Sequence, residues 1–221
     1  EPTRIEFKAF EIDPRQIPDY TNLEDALKRA LDFWSQQQSD KAKTFFKKAL
    51  EVIHKPAITC LRISDFNTSG LVGSREEYNS PWCNLTKSSG ASDKSGSNGG
   101  SFGIGKFAPY ACSALRTVFY STIDKDDVCA SQGVSRLTSF KNKKNEITQG
   151  TGFYGNDKNS PMYKQYSLDP AYSRNAENSG TDIYITAFTG DKGWQHQMVA
   201  SVLDGFLYAI YNGTLVVDVD G

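Results

Sequence analysis

Residues 99–120 read GGSFGIGKFAPYACSALRTVFY, and the interpretation of the whole chain depends on this stretch. Four glycines fall within its first seven residues, an apolar pattern with helical spacing follows, and the β-prone residues 117–120 end it. Glycines let the backbone approach an anion closely, and the first turn of a helix points free N–H groups at it. The stretch therefore predicts a loop, a helix and a strand arranged to hold phosphate groups.

This loop departs from the P-loop pattern G-x-x-x-x-G-K-[ST] at two points. The residues from Gly100 to Lys106 match the pattern, but Phe107 stands where the motif needs a hydroxyl group for magnesium. The polar residues 88–98 precede the loop, whereas a P-loop follows a buried strand. A flexible glycine linker in front of an ordinary helix is the alternative that carries no function.

A second motif lies upstream, where residues 58–71 read ITCLRISDFNTSGL. Its first half is apolar and predicts a buried strand that ends at Asp65. Residues 67–70, which read NTSG, have the composition of a turn. The chain thus places a strand, an aspartate, a turn and a glycine before the glycine-rich loop.

This order of motifs resembles the GHKL ATPases, which include the heat-shock-90-type chaperones, gyrase B, MutL, the MORC proteins and histidine kinases. Residues 100–107 (GSFGIGKF) are similar to the chaperone sequence G-Q-F-G-V-G-F-Y, and residues 84–90 (NLTKSSG) to its N-L-G-T-I-A-K-S-G segment. Residues 179–185 (SGTDIYI) resemble the late G-T-x-I strand of the family. The family pattern D-x-G-x-G appears at residues 65–70 as DFNTSG, with a longer spacer and without the first glycine. The resemblance covers about residues 22–190.

The resemblance implies an α/β fold, a two-layer sandwich with a mixed, largely antiparallel sheet and helices on one face. It also implies that Asp65 accepts a hydrogen bond from the adenine amino group of ATP, supported by Gly70 and Thr181. Backbone N–H groups of the glycine-rich loop would hold the phosphates, with two lysines as the nearest cations. The residues that it assigns to ATP are Asp65, Gly70, Lys87, Gly103, Ile104, Gly105, Lys106 and Thr181.

The family places a magnesium-binding helix, E-x-x-x-N-x-x-D-A, directly before the aspartate strand. The best local match puts Gln37 at the Asn of that pattern, and an alternative register pairs Asp32 with Gln36 on one helical face. The resemblance then implies Mg²⁺ at Gln37 or Gln36 and slow hydrolysis with Asp32 as the base. Because the family's Glu has no counterpart, a nucleotide-responsive module without hydrolysis stays open as an alternative function. For the glutamines themselves, the alternative is that they are exposed helix residues without any role.

Bulk composition limits the class of protein. A chain of 221 residues with 38% apolar and 23% charged residues can bury one substantial core. A net charge of −1 provides no basic excess for nucleic acid, and no apolar run is long enough for a membrane span. Four cysteines are too widely spaced for a C-x-x-C metal site, which favours free thiols in a reducing, cytoplasmic location over a secreted protein with two disulfides.

Periodicity divides the chain into three segments. Residues 1–20 predict an N-terminal strand or arm, residues 21–190 the ATP-binding domain with a lid at about 72–106, and residues 191–221 a closing helix and strand that lead to a downstream domain. From the resemblance we expect lid closure and a homodimer on ATP binding. A client protein or DNA would then be bound through other domains.

Overall fold

A computed structural model describes residues 1–37, 39–87 and 104–220. Most of the glycine-rich loop, including Gly103, lies outside the described residues. Within them, no helix combines the length and the apolar character needed to cross a membrane.

Seven strands form one open sheet, in the spatial order β5-β4-β3-β6-β2-β1-β7. The last strand, β7, runs parallel to β1, and all other neighbouring strands are antiparallel. The strands are β1 (Thr3–Ile12), β2 (Ile58–Phe66), β3 (Thr117–Ile123), β4 (Cys129–Arg136), β5 (Thr151–Tyr154), β6 (Gly180–Ile185) and β7 (Leu215–Val219). The predicted α/β fold with a mixed, largely antiparallel sheet is confirmed.

Helices and short 3₁₀ turns connect these strands. The α-helices are α1 (Tyr20–Gln36), α2 (Asp40–Ile53), α3 (Pro81–Thr86), α4 (Ala108–Ala111) and α5 (Trp194–Tyr211). The 3₁₀ turns are Pro14–Gln16, Ile104–Phe107 and Asp157–Asn159. Both end segments of the chain are part of the same sheet, because β7 pairs with β1.

The two long helices α1 and α2 cover one face of the sheet, which we call the α1–α2 face. Apolar residues at helical spacing turn inward, so that Leu27 of α1 and Phe46 of α2 are fully buried. They belong to one cluster with Cys60, Phe119 and Tyr184 of the sheet. This cluster is the larger core of the protein.

The short helices α3 and α4 pack on the opposite face, which we call the α3–α4 face. Trp82 of α3 and Tyr110 of α4 are buried against Val118, Tyr120 and Val134 of the sheet. Helices therefore lie on both faces of the sheet rather than on one.

The strand register assigns Asp65 to one of these faces. Ile63 of β2 lies opposite Ile183 of β6, and Ile183 packs into the α3–α4 cluster. Side chains alternate along a strand, so Asp65 points to the same face as Ile63, whereas Cys60 points to the α1–α2 face. The candidate adenine contact and the two long helices are thus on opposite sides of the sheet.

Cys60, Cys83, Cys112 and Cys129 are all free thiols. Of these, Cys60 and Cys83 are buried.

Candidate functional site

Asp65 lies near the end of β2 with its carboxylate held on one oxygen. Its Oδ1 accepts the backbone N–H of Thr181 and, at 3.1 Å, the hydroxyl of Thr68. Both hydrogen bonds end on Oδ1, and none of the described residues donates a hydrogen bond to Oδ2. The carboxylate is therefore oriented by the protein through one of its two oxygens.

Burial raises the pKa of Asp65 above its ordinary value, because the ionised carboxylate loses hydration. The hydrogen bonds from Thr181 and Thr68 act in the opposite direction but do not cancel this effect. A ligand that donates a hydrogen bond to Oδ2 would favour the ionised form and lower the pKa again.

The turn after Asp65 requires glycine at its end. Asn67 and Gly70 both have left-handed backbone conformations, with φ of 58° and 60°. A Cβ atom on Gly70 would stand 2.3 Å from the carbonyl oxygen of Ile123, closer than any real contact. Gly70 is thus fixed by conformation and by space.

Thr122 of β3 ties this turn to the centre of the sheet. Its hydroxyl accepts the backbone N–H of Leu71 at 2.9 Å and donates to the carbonyl of Gly180 at 2.9 Å. The hydroxyl of Thr181 stands 3.3 Å from that of Thr122. Through these two hydrogen bonds, Thr122 links Gly180 of β6 to the loop that carries Gly70.

Gly180 lets β6 approach the carboxylate. A Cβ atom at this position would lie 2.7 Å from Oδ1 of Asp65 and 2.5 Å from Nη1 of Arg174. Any side chain here would push apart the two groups, so the short contact between Thr181 and Asp65 depends on this glycine.

A buried ion pair on the α1–α2 face supports the same strand, and the sequence analysis did not identify it. Arg174 donates to Asp182 through Nε at 2.9 Å and through Nη2 at 2.7 Å. The hydroxyl of Ser64 donates to Asp182 Oδ1 at 2.7 Å, and the guanidinium lies 4.7 Å from the Phe66 ring centre. The one trace of this network in the sequence is a charged residue, Asp182, inside an otherwise strand-like run.

The described part of the glycine-rich loop forms a short 3₁₀ helix, Ile104–Phe107. A Cβ atom on Gly105 would meet none of the described residues within 4 Å. Lys106 donates from Nζ to the carbonyl of Asn84 at 3.0 Å. Burial, and then the neighbouring charge of Arg136, lower the pKa of Lys106. Its ammonium group is engaged by the protein rather than pointing freely to solvent.

Lys87 stands far from Asp65 in the described structure. Its backbone N–H caps α3 by donating to Cys83 at 2.9 Å. It lines a cavity of about 500 Å³ with Thr151 and Phe153 of β5. β5 lies four strand positions from β2 in the sheet, roughly 19 Å at about 4.8 Å per strand. Lys87 and Asp65 are therefore not brought together.

The magnesium and base candidates also lie apart from Asp65. Asp32 and Gln36 are in the last turns of α1, Gln37 follows directly, and all three are exposed. Because α1 covers the α1–α2 face, the sheet separates these residues from the Asp65 carboxylate. In the described ranges there is also no cluster of three or more His, Cys, Asp or Glu residues suited to a metal ion. The residues do not fit a magnesium site beside Asp65, and these assignments stay predictions.

A well-formed cavity of about 350 Å³ lies elsewhere, between α1 and strands β3–β5. Its walls include Leu23, Phe119, Phe153 and Tyr154, and they are mostly apolar. None of the residues assigned to ATP lines it. This cavity is therefore separate from the residues assigned to ATP.

Comparisons of the chain with protein-family models, with curated proteins and with solved structures found no match.

Proposed function

We propose that this chain is an ATP-binding domain of the GHKL type in which Asp65 binds the adenine base. The observation that carries the proposal is the state of the Asp65 carboxylate. Its Oδ1 is fixed by Thr181 and Thr68, while Oδ2 has no hydrogen bond from the described residues. Two glycines, Gly70 and Gly180, stand where side chains would crowd the neighbouring backbone.

The chemistry of such a carboxylate suits an exocyclic amine. The 6-amino group of adenine would donate to Oδ2, and a hydrogen bond to a charged acceptor is worth about 1.5–3 kcal/mol. Guanine carries a carbonyl oxygen at the same position, which would face the carboxylate and be repelled. We therefore propose selectivity for adenine over guanine nucleotides.

The phosphates would be held by the backbone from Gly103 to Lys106, as the resemblance implies. The absence of a described residue beside a Cβ atom at Gly105 supports this part of the proposal. The Nζ of Lys106 would have to leave the carbonyl of Asn84 to reach a phosphate. Lid closure over the nucleotide would include this exchange of partners.

A second candidate function, nucleotide binding without hydrolysis, is favoured by one observation. Asp32, Gln36 and Gln37 are exposed on a helix that covers the opposite face of the sheet from Asp65. We therefore assign no hydrolytic step and no magnesium-dependent step to residues of this chain. Dimerisation on ATP binding, and clients or DNA bound through other domains, stay predictions of the resemblance.

Calorimetric titration with a non-hydrolysable ATP analogue, with and without Mg²⁺, tests the proposal. In Asp65→Asn, Oδ1 can still accept from Thr181, but an NH₂ group replaces Oδ2 and opposes the adenine amine. We expect affinity to fall by about 10- to 150-fold, which corresponds to one hydrogen bond to a charged group.

Asp126→Asn is the matched control, because Asp126 is an exposed aspartate in the β3–β4 turn. It should bind the analogue like the wild type. Equal affinities for the wild type and Asp65→Asn would refute the proposed site, and a GTP analogue that binds as well as the ATP analogue would refute the proposed selectivity.

A further inference from the structure

The cavity between α1 and strands β3–β5, which we call the β3–β5 cavity, has a floor made of two neighbouring rows of cross-strand partners. The rows are Thr117, Ser135 and Gly152, and Phe119, Gly133 and Tyr154. A Cβ atom on Gly133 would lie 2.5 Å from the ring of Phe119, so this ring covers Gly133. A Cβ atom on Gly152 would meet none of the described residues within 4 Å. Small residues in the floor therefore leave the volume of about 350 Å³ above the sheet.

The other walls of the β3–β5 cavity come from α1 and from the chain that follows β4. Leu23 and Ala26 of α1 line it together with Leu137 and Phe140. These four apolar side chains are also part of the main core or pack against it. The cavity is thus a recess in the main core, and its volume is within the range of about 300–1,000 Å³ that is typical of small-molecule sites.

A chain of hydroxyl groups determines which hydrogen bonds the floor can make with a ligand. Thr117 donates from Oγ1 to the backbone carbonyl of Leu115 at 3.0 Å. Because a hydroxyl group has a single proton, Ser135 must be the donor in the 2.8 Å contact between its Oγ and Oγ1 of Thr117. The Oγ of Ser135 then keeps lone pairs but has no proton to give. Toward a ligand in the cavity it is a hydrogen-bond acceptor.

The charge of the cavity walls limits the ligand further. Among the described residues that line the cavity, Asp19 alone carries a charge, and it is exposed. None of these lining residues is a cation that could pair with a phosphate or a carboxylate group. An anionic ligand would lose its hydration there without a compensating partner. The walls therefore suit a neutral molecule, unlike ATP.

We propose that the β3–β5 cavity binds a small, neutral aromatic molecule that donates one N–H or O–H hydrogen bond to Oγ of Ser135. Phe119 and Tyr154 provide the ring contacts, since their centroids are 6.0 Å apart at an interplanar angle of 62°, an edge-to-face arrangement that a planar ligand can extend. The cavity volume equals the liquid volume of roughly a dozen water molecules, which a bicyclic ring with a short substituent would fill. This site shares no residue with the proposed ATP site and does not depend on it.

Titration of the isotope-labelled chain, followed by two-dimensional NMR without nucleotide, tests the proposal with two probes. Indole is neutral, planar and carries one N–H donor, and benzofuran has nearly the same shape with an oxygen in place of that N–H. The wild type should bind indole saturably, with shifts in the amide signals of Ser135 and Gly152. Benzofuran should bind about 2- to 10-fold more weakly, because one neutral hydrogen bond is lost.

Three variants separate the acceptor from the cavity itself. Ser135→Ala removes the acceptor and keeps the space, so the affinity for indole should fall to that for benzofuran, whose own binding should not change. Gly152→Leu fills the space from a strand position at which a Cβ atom meets no described residue, so the variant should fold and bind neither probe. Gly205→Leu adds the same side chain at an exposed glycine of α5 and should bind both probes like the wild type. Circular dichroism shows whether each variant is folded.

Two results would overturn the proposed site: a wild type that does not bind indole, and a folded Gly152→Leu variant that binds indole as well as the wild type does. Equal affinities of the wild type for indole and benzofuran would overturn the assignment of Ser135 as the acceptor. All of these outcomes leave the proposed ATP site untouched, since no nucleotide is present.

Discussion

At the scale of the residue, the ionised carboxylate of Asp65 suits ligand binding but makes the folded protein less stable. Its burial raises the pKa of the carboxyl group, so the ionised form is less favourable in the folded protein than in the unfolded chain. That ionised form is nevertheless the one that accepts hydrogen bonds from Thr181 and Thr68 and, in the proposed complex, a third from the ligand. Such a conflict is typical of binding and catalytic sites.

We expect Asp65→Asn to stabilise the protein at neutral pH. The folded-state pKa lies above the ordinary value of 3.8, so between these two values the folded protein binds more protons than the unfolded chain. The free energy of unfolding therefore falls as pH rises through this window. Asn keeps an acceptor for Thr181 and removes the buried charge. Thermal unfolding should give a higher Tm for the variant at pH 7.

The pH dependence separates this effect from a general change in packing. Below the lower pKa, wild-type Asp65 is also neutral in both states, and the difference in Tm should close. Asp126→Asn, at an exposed position, should match the wild type throughout. A gap that persists at low pH would show that the charge is not its cause.

Sequence reasoning at this scale succeeds where a motif fixes the backbone. Gly70 could be identified from the composition of the turn. The structure agrees, because its φ of 60° and the lack of room for a Cβ atom beside Ile123 both require glycine. Arg174 could not be identified, because it stands in a polar loop whose composition resembles solvent-exposed segments. Only the three-dimensional structure shows its guanidinium buried against Asp182.

At the scale of the element, β6 is held from both faces of the sheet. Thr181 donates its backbone N–H to Asp65 at the end of β2, and the next residue, Asp182, binds Arg174 on the α1–α2 face. Tyr172 adds a hydroxyl hydrogen bond to Asp182 at 3.1 Å. The loop before β6 is thereby fixed to the sheet by charge as well as by the apolar packing of Leu168 and Tyr166.

Arg174→Leu is expected to destabilise the protein by about 3–5 kcal/mol, because it leaves the Asp182 carboxylate buried without its partner. Urea unfolding followed by circular dichroism measures the change. Arg15→Leu is the matched control, since its pair with Asp13 is at an exposed position. The control should be close to wild type. A similar midpoint for both variants would show that the buried pair contributes little.

The accuracy of the strand predictions depended on how clearly the sequence pattern marks a strand. The strand predicted from the β-prone residues 117–120 is confirmed by β3, which extends to Ile123 and in which every residue is buried. Residues 146–153 contain β-branched and aromatic residues typical of a strand, but β5 begins only at Thr151. Ile147 is 62% exposed and forms an isolated bridge to Lys141, so strand propensity there did not predict burial.

At the scale of the whole molecule, periodicity predicts which side of a helix is buried but not which face of the sheet the helix covers. The apolar sides of α1 and α2 were recognisable from the spacing of residues 23–53. Nothing local in that spacing determines that they cover the face opposite Asp65. That information comes from the strand order β6-β2-β1 and its register, which are long-range properties.

Cysteine reactivity should report on this global burial. Cys112 is exposed, whereas Cys60 is fully buried in the main core and burial raises its pKa to about 12. From the shift alone, the thiolate of Cys60 is roughly a thousandfold rarer than that of a thiol with the ordinary value of 9.0. A short pulse of iodoacetamide, read by peptide mass spectrometry, should label Cys112 in the native protein and Cys60 only after unfolding in urea. Equal labelling of the two in the native state would contradict the described core.

The two-sided contacts of β6 also determine how variants of this protein have to be interpreted. Consecutive residues of a single strand hold the Asp65 carboxylate and the Arg174–Asp182 ion pair, and the charge of Arg174 also acts on Asp65, so a substitution at Asp182 changes Asp65 without removing a ligand contact. Weaker nucleotide binding in such a variant would report a displaced strand, not a lost contact. Substitutions at residues of β6 are therefore expected to be coupled, so that their effects on affinity and on the free energy of unfolding do not add.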